Sequence, residues 1–159
     1  MSTTPDRSKA ALLLAVALAA PAEGLRRYAY YCPAGILTTC YGHTGADVRK
    51  GLEYSIEQCK ALLNADMLKA VNAVERCAPD LPAPILAAFA DATFNMGPTI
   101  ACNTSASTAA RHLAAGKYEL ACNQLPRWSY AKVAGISTQL PGLVTRRANE
   151  RALCLTGVA

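Results

Sequence analysis

Positions 1–9 are mostly polar, with Arg7 and Lys9 just ahead of a run from Ala10 to Ala20 made only of Ala, Leu and Val. Pro21, Ala22 and then an acid, Glu23, follow. The run predicts an apolar, helix-like segment that ends on the acid. Ile36-Leu37-Thr38-Thr39-Cys40-Tyr41 follows, a short run rich in strand-favouring residues. A turn-rich stretch, Gly42-His43-Thr44-Gly45-Ala46-Asp47, leads on to Val48–Tyr54, and the pattern predicts a short antiparallel sheet or hairpin over residues 34–54. Ser55 with Gln58 three residues later has the form of a capping box. Ile56, Cys59, Leu62, Leu63, Met67 and Val71 keep a helical period to about Arg76, and this helix reads as a connector between two lobes. Asp80-Leu81-Pro82-Ala83-Pro84 breaks the chain, and Pro84 suits the first turn of a new helix. Ile85–Phe94 is apolar nearly throughout, so it reads as the buried central helix, ended by Asn95-Met96-Gly97-Pro98. A capped helix at about Ser105–Ala115 and another at about Tyr118–Gln124 come next. A loop from Pro126 through Gly135 and a last helix from Pro141 to about Leu155 complete the pattern. The fold class expected is α+β, mostly helical.

At 159 residues and 52% hydrophobic, the chain can bury a core as one domain or as two small lobes sharing it. A net charge of +5 and a pI near 8.9 favour an anionic partner such as a wall polymer or a membrane surface. The basic residues run singly apart from Arg26-Arg27, Arg49-Lys50 and Arg146-Arg147, and no nucleic-acid-binding module is recognisable. None of the seven cysteines has the CxxC spacing of a zinc or redox site, and the reading of the chain as a whole implies neither a metal nor an organic cofactor. Dispersed cysteines at this density read as disulfides formed in an oxidising compartment, and an odd number leaves at least one thiol over.

The N-terminal run has the outline of a cleaved signal peptide. Cutting after Ala20 or Ala22 would leave Glu23 at a frayed terminus. The thirteen residues Ala10 to Ala22 span about 20 Å as a helix, against a hydrocarbon core of about 30 Å. Four Leu and one Val supply roughly −2 to −3 kcal/mol of insertion. So weak a segment could insert, leave, and then pack its alanine-rich surface in a folded protein. With the run inserted, Glu23 would lie at the bilayer and away from any cleft.

Glu23, eight residues, Cys32, five residues, Thr38 is the spacing that carries the candidate chemistry. An acid at a helix end would face a hairpin bearing a second polar group and a hydroxyl. Glycosidic cleavage needs those parts: a proton for the leaving oxygen and a held water or nucleophile at the anomeric carbon. Thiols titrate at about pH 8.5, so Cys32 needs help to act as a thiolate. His43 reads as a structural residue of its turn. Asn95 reads equally as a helix cap or a cleft residue, and Trp128 as core or cleft wall. Arg146 and Arg147 either meet acidic groups of a substrate or pair with Glu150.

The triad spacing resembles that of the phage-type lysozymes (endolysins, glycoside hydrolase family 24), whose second member is usually Asp and sometimes Cys. Other matching pieces are Cys40-Tyr41-Gly42-His43-Thr44-Gly45, Ser55 with Cys59-Lys60-Ala61-Leu62-Leu63, Phe94-Asn95-Met96-Gly97, and Gly142-Leu143-Val144-Thr145-Arg146-Arg147 with Glu150. They keep the family's order over roughly residues 22–155. The N-terminus is similar to the signal-arrest-release type, in which an uncleaved, weakly apolar segment is later expelled from the membrane.

The resemblance implies a two-lobed lysozyme-like fold. Residues 1–22 would form the release segment and 23–159 the catalytic domain, with a small sheet in a lobe of about 23–58, a connecting helix of about 55–76 and a helical lobe of about 77–159. It implies a monomer that hydrolyses the β-1,4 bond between N-acetylmuramic acid and N-acetylglucosamine in peptidoglycan. The enzyme would act in the host periplasm after transient inner-membrane association through residues 10–22. In that reading Glu23 is the general acid, favoured in its protonated form by Leu25 and Tyr28. Cys32 stands in for a carboxylate, Thr38 holds the water, and Asn95 and Arg146 touch substrate. The resemblance and their positions imply the disulfides Cys40–Cys59 and Cys122–Cys154. Cys77 and Cys102 are then the remaining pair, and spacing alone does not determine connectivity. Three other readings stay open: a lytic transglycosylase using Glu23 alone, a non-catalytic peptidoglycan-binding protein, and a cleaved, disulfide-framed secreted protein.

Overall fold

Helix α1 spans Thr4–Glu23 in the computed structural model, which describes residues 3–159; Met1 and Ser2 of the polar start lie outside the described residues. The helix begins six residues ahead of the apolar run, with Pro5 and Asp6 in its first turn. It stops where Gly24 turns to φ 72°, the Gly24 N–H closing on the Ala20 carbonyl at 3.1 Å. Ala11, Ala15 and Ala19, four residues apart, are fully buried, while Leu13 is 72% exposed on the other side. A stripe of methyl groups lets α1 lie close against its neighbours. Among the described residues no helix is both long and apolar enough to cross a membrane.

The neighbour α1 meets most is α3, Ala83–Met96, every residue of which from Ile85 to Thr93 is buried. Helices α2 (Ile56–Cys77) and α7 (Pro141–Thr156) pack on α3 as well, so it is the axis of the core. The capping box at the start of α2 is formed in both directions. Gln58 N–H donates to Ser55 Oγ at 3.0 Å, and Ser55 N–H donates to Gln58 Oε1 at 2.7 Å.

The small sheet is antiparallel in the order β1 (Arg26–Tyr31), β2 (Leu37–Cys40), β3 (His43–Thr44). Its first strand therefore lies before residue 34, where the expected sheet began. Val48–Tyr54 forms no strand and adds a single bridge from Glu53 to Tyr28. Gly51 at φ 81° turns that stretch back on itself, and the Tyr54 hydroxyl ties it down by accepting from Arg49 N–H and donating to the Asp47 carbonyl.

The second lobe departs from expectation in three places. The helix expected at Ser105–Ala115 is α5, Thr108–Ala114, capped by Ser107, and a short α4, Thr99–Cys102, precedes it. Asn103 explains the delay: its side chain accepts from the Ser105 and Ala106 N–H groups and holds them in a turn. Helix α6 (Tyr118–Cys122) ends two residues before the expected Gln124, and a 3-10 turn follows at Leu125–Arg127. Within the expected loop lies a hairpin, β4 (Tyr130–Val133) with β5 (Ile136–Gln139). Its turn residues Ala134 and Gly135 both have positive φ, 50° and 81°, and Ala-Gly is not one of the dipeptides that advertise such a turn.

Among the described residues three disulfides join β2 to α2 (Cys40–Cys59), α2 to α4 (Cys77–Cys102) and α6 to α7 (Cys122–Cys154), and Cys32 is free. At the far end of α1, Arg7 makes a two-pronged pair with Glu75 at 2.7 and 3.0 Å and also donates to the Leu81 carbonyl at 2.9 Å. Arg7 is nearly buried there, its side chain 11% exposed. Glu75→Ala should therefore lower unfolding stability by about 1–3 kcal/mol, read by chemical denaturation. The loss should be smaller for Glu57→Ala on the exposed face of the same helix.

Candidate active site

Three contacts fix the Glu23 carboxylate. Helix α1 ends on it. Arg146 Nη1 donates to its Oε1 at 2.7 Å. Gly42 lies beneath it so closely that a Cβ there would sit 2.9 Å from Oε2. Gly42 also has φ 74°, so both its conformation and its lack of a side chain are used. Oε1 is thereby occupied, and Oε2 is the oxygen left for the cleft.

Opposite, the turn from β1 to β2 presents Cys32. Gly35 N–H donates to the Cys32 carbonyl at 2.8 Å and Cys32 N–H to the Ile36 carbonyl at 3.0 Å. The hydrogen bond with the Ile36 backbone is the main influence on the half-buried thiol and lowers its pKa below the ordinary value. Burial works against this, and the Ala34 backbone lowers it further. Thr38, buried on β2, donates its hydroxyl proton to the Ile36 carbonyl at 2.9 Å, which leaves its oxygen as an acceptor. Glu23, Cys32 and Thr38 line one open cleft of about 690 Å³ between the lobes, with Asn95, Asp66 and Lys69 on its other walls.

Asn95 is in the cleft and is not a cap, since α3 runs one residue further and closes on Gly97. Its Oδ1 accepts from Arg147 Nη2 at 2.5 Å, so its amide N–H groups are left to face outward. Arg146 does not line the cleft, contrary to its expected contact with substrate. Its guanidinium is buried and spent on protein carboxylates: Asp91 takes Nε at 3.0 Å and Nη2 at 2.7 Å, and Glu23 takes Nη1. Burial alone would lower the Arg146 pKa. Asp91 and Glu23 outweigh it and raise the pKa well above the usual arginine value. Leu25 and Tyr28 are exposed, 39% and 55%, and neither lines the cleft, so they do not enclose the acid as expected. His43 sits in its turn with Asp66 at 2.6 Å on Nδ1 and Asp47 at 3.0 Å on Nε2. Burial pulls its pKa down, but the two carboxylates prevail and raise it. Trp128 is half-buried against the core.

Asp91 escaped the reading of the sequence, being one acid in an otherwise apolar helix. A buried carboxylate needs a cation, and the Arg146-Arg147 pair was the available signal. Behind Asp91 lies Glu150, fully buried, with Arg147 Nε 3.1 Å from its Oε2 but misaligned for a hydrogen bond. Burial chiefly, helped by the nearby Asp91 carboxylate, pushes the Glu150 carboxyl up to about 10.

An acid on a helix end, a three-stranded sheet across an open cleft and a helical second lobe define a lysozyme-like enzyme. Residues 20–150 match the family model for phage lysozyme. The chain belongs to the phage lysozyme family, a family of peptidoglycan-lysing enzymes. It is 39% identical over 136 residues to a SAR-endolysin of Bacteriophage PS119, covering 85% of this chain and 77% of the relative. The active form of the P1 phage endolysin Lyz superposes with a TM-score of 0.77 at 29% identity, over 92% of this chain and 85% of that one. The secreted inactive form of the same P1 protein reaches 0.52 at 26% identity, over 72% and 78%.

Glu150 makes stability depend on pH in a defined direction. Its folded pKa lies above the unfolded value of about 4.3, so folding retains a proton between about pH 4.3 and about pH 10. Stability from this group is complete below the unfolded pKa and falls as pH rises, by up to about 1.4 kcal/mol per unit. Glu150→Gln, which keeps the shape without the titration, should flatten that decline in denaturation midpoints between pH 5 and pH 9.

Proposed function

We propose that the protein is an endolysin that hydrolyses the β-1,4 bond between N-acetylmuramic acid and N-acetylglucosamine in peptidoglycan. The observation that carries the reading is the meeting of Glu23, Cys32 and Thr38 on one sugar-sized cleft. Glu23 Oε2 delivers a proton to the leaving oxygen while Arg146 holds Oε1 still. A water in the cleft donates one hydrogen to Thr38 Oγ1, whose own proton is committed to Ile36, and the other to the Cys32 thiolate. With both hydrogens held, the oxygen lone pair points at the anomeric carbon, and as the new C–O bond forms the Cys32 thiolate takes the proton that the water loses. The thiolate also balances the positive charge that develops on the sugar. Asn95 offers its amide donors to the glycan.

We also propose that residues 10–22 first rest in the inner membrane of the host and then fold in as α1, activating the enzyme in the periplasm. Two observations support this. The last residue of α1 is the proposed acid, so the cleft is incomplete without the helix. And the chain is more like the active than the secreted inactive form of the P1 protein.

Glu23→Gln should reduce peptidoglycan turnover by about 10²–10⁴-fold with the melting curve intact; wild-type rates would dismiss the acid. New reducing ends without 1,6-anhydro sugars should mark hydrolysis rather than transglycosylation. Activity of the wild type should fall as pH drops through the Cys32 pKa, because the thiolate is lost. Cys32→Asp should keep activity and carry that limb down into the carboxylate range, and a thiol-blocking reagent should inhibit the wild type but not this variant. Ala10→Leu with Ala17→Leu, both on the exposed side of α1, should strengthen insertion by about 1 kcal/mol without touching the core. Lysis should come later, as read by culture turbidity and by the fraction of protein pelleting with membranes.

A further inference from the structure

The charge of this chain is unevenly placed. Residues 103–159 hold seven Lys and Arg against two acids, so the whole net charge of +5 resides in them. Arg146, Arg147 and Glu150 are interior. That leaves Arg111, Lys117, Arg127, Lys132 and Arg151 exposed, against Glu119. Among the described residues none of these five cations is in an ion pair. Charge of one sign gathered in one part of a chain points to a polyanionic surface as its partner.

From this lobe projects the β4–β5 hairpin, whose strands pair with each other and make no extensive contact with any helix. Its tip is the apolar sequence Val133-Ala134-Gly135-Ile136, with Val133 48% and Ile136 69% exposed. Val133 pairs directly with Ile136, so the two branched side chains stand on one face. Lys132 forms the next pair back, Tyr130 is 54% exposed on the Lys132 face, and Arg127 stands at the base. Ala134 keeps a methyl group at φ 50°, where Asn, Asp or Gly is the usual occupant. None of these residues lines the cleft. A sugar site would need hydrogen-bonding groups and flat aromatic faces at the tip, which has neither.

We propose that the hairpin is a lipid-contacting finger that docks the folded protein on an anionic bilayer. Val133 and Ile136 enter the boundary between headgroups and acyl chains, and Lys132 and Arg127 face the lipid phosphates. This contact is separate from α1, whose alanine stripe is buried in the folded protein. It does not depend on the proposed chemistry of the cleft.

The test is flotation of the folded, full-length protein with vesicles of phosphatidylethanolamine and phosphatidylglycerol, and with vesicles of phosphatidylcholine alone. The anionic vesicles should capture the wild type, and added salt should weaken capture. Val133→Thr with Ile136→Thr keeps both positions β-branched and should weaken binding at least about 10-fold; Lys132→Gln should weaken it about 5-fold. Turnover of purified sacculi should stay at the wild-type rate in both variants. Unchanged vesicle binding by the double variant would assign any membrane affinity to α1 and overturn the proposal. So would equal binding to phosphatidylcholine, or a loss of binding to sacculi with vesicle binding intact, which would make the tip a wall-polymer contact.

Discussion

A buried guanidinium held between two carboxylates organises this molecule. Arg146 comes from α7, Asp91 from α3 and Glu23 from the last residue of α1. Leaving such a charge unpaired costs about 3–5 kcal/mol. The three helices therefore settle in the one register that brings both acids to the arginine. Asp91, with no exposure at all, is the fixed partner, and Glu23 takes the remaining arm at the cleft edge. Structure and chemistry thus share one contact: the interaction that seats α1 also orients the proposed proton donor.

Helix α1 is held at both ends by the same device. Twenty residues of helix span about 30 Å, with Arg7 on Glu75 at one end and Glu23 on Arg146 at the other. Between them a row of buried alanine methyl groups lies against the core, flanked by partly buried Leu12, Leu14 and Val16. That composition would serve both the proposed membrane stage and the fold. Alanine is close to neutral in a bilayer, so a segment built on it inserts only marginally. It is also small enough to let two helix backbones approach. A leucine stripe would satisfy the membrane and fail the core.

The proposed attacking side is built from backbone more than from side chains. A turn of five residues, Cys32–Ile36, directs main-chain groups at the thiol, and β2 brings Thr38 alongside. A thiol in a carboxylate's place is a weaker acceptor, and the local donors compensate by favouring its ionised form. The finger at β4–β5 belongs to the other lobe and to a different physical demand, the contact of exposed branched side chains with something less polar than water.

Much of this was legible in residue order. The apolar run closed by Glu23, the capping box at Ser55, the apolar stretch of α3 and the Glu-Cys-Thr spacing are local patterns, and local patterns declare themselves. The odd cysteine was legible by count, the family resemblance supplied two of the pairs, and Cys77 with Cys102 was the pair that remained. What tertiary structure decided were the relations between distant residues. It assigned Arg146 to the interior rather than to substrate, because only packing brings Asp91 and Glu23, 55 and 123 residues away, to one guanidinium. It made Glu150 a buried neutral acid. It drew a first strand from Arg26–Tyr31 and a hairpin from an expected loop, since strands need partners that sequence does not name. Helices form from neighbours along the chain, and so can be read there; sheets, buried charges and clefts form from neighbours in space.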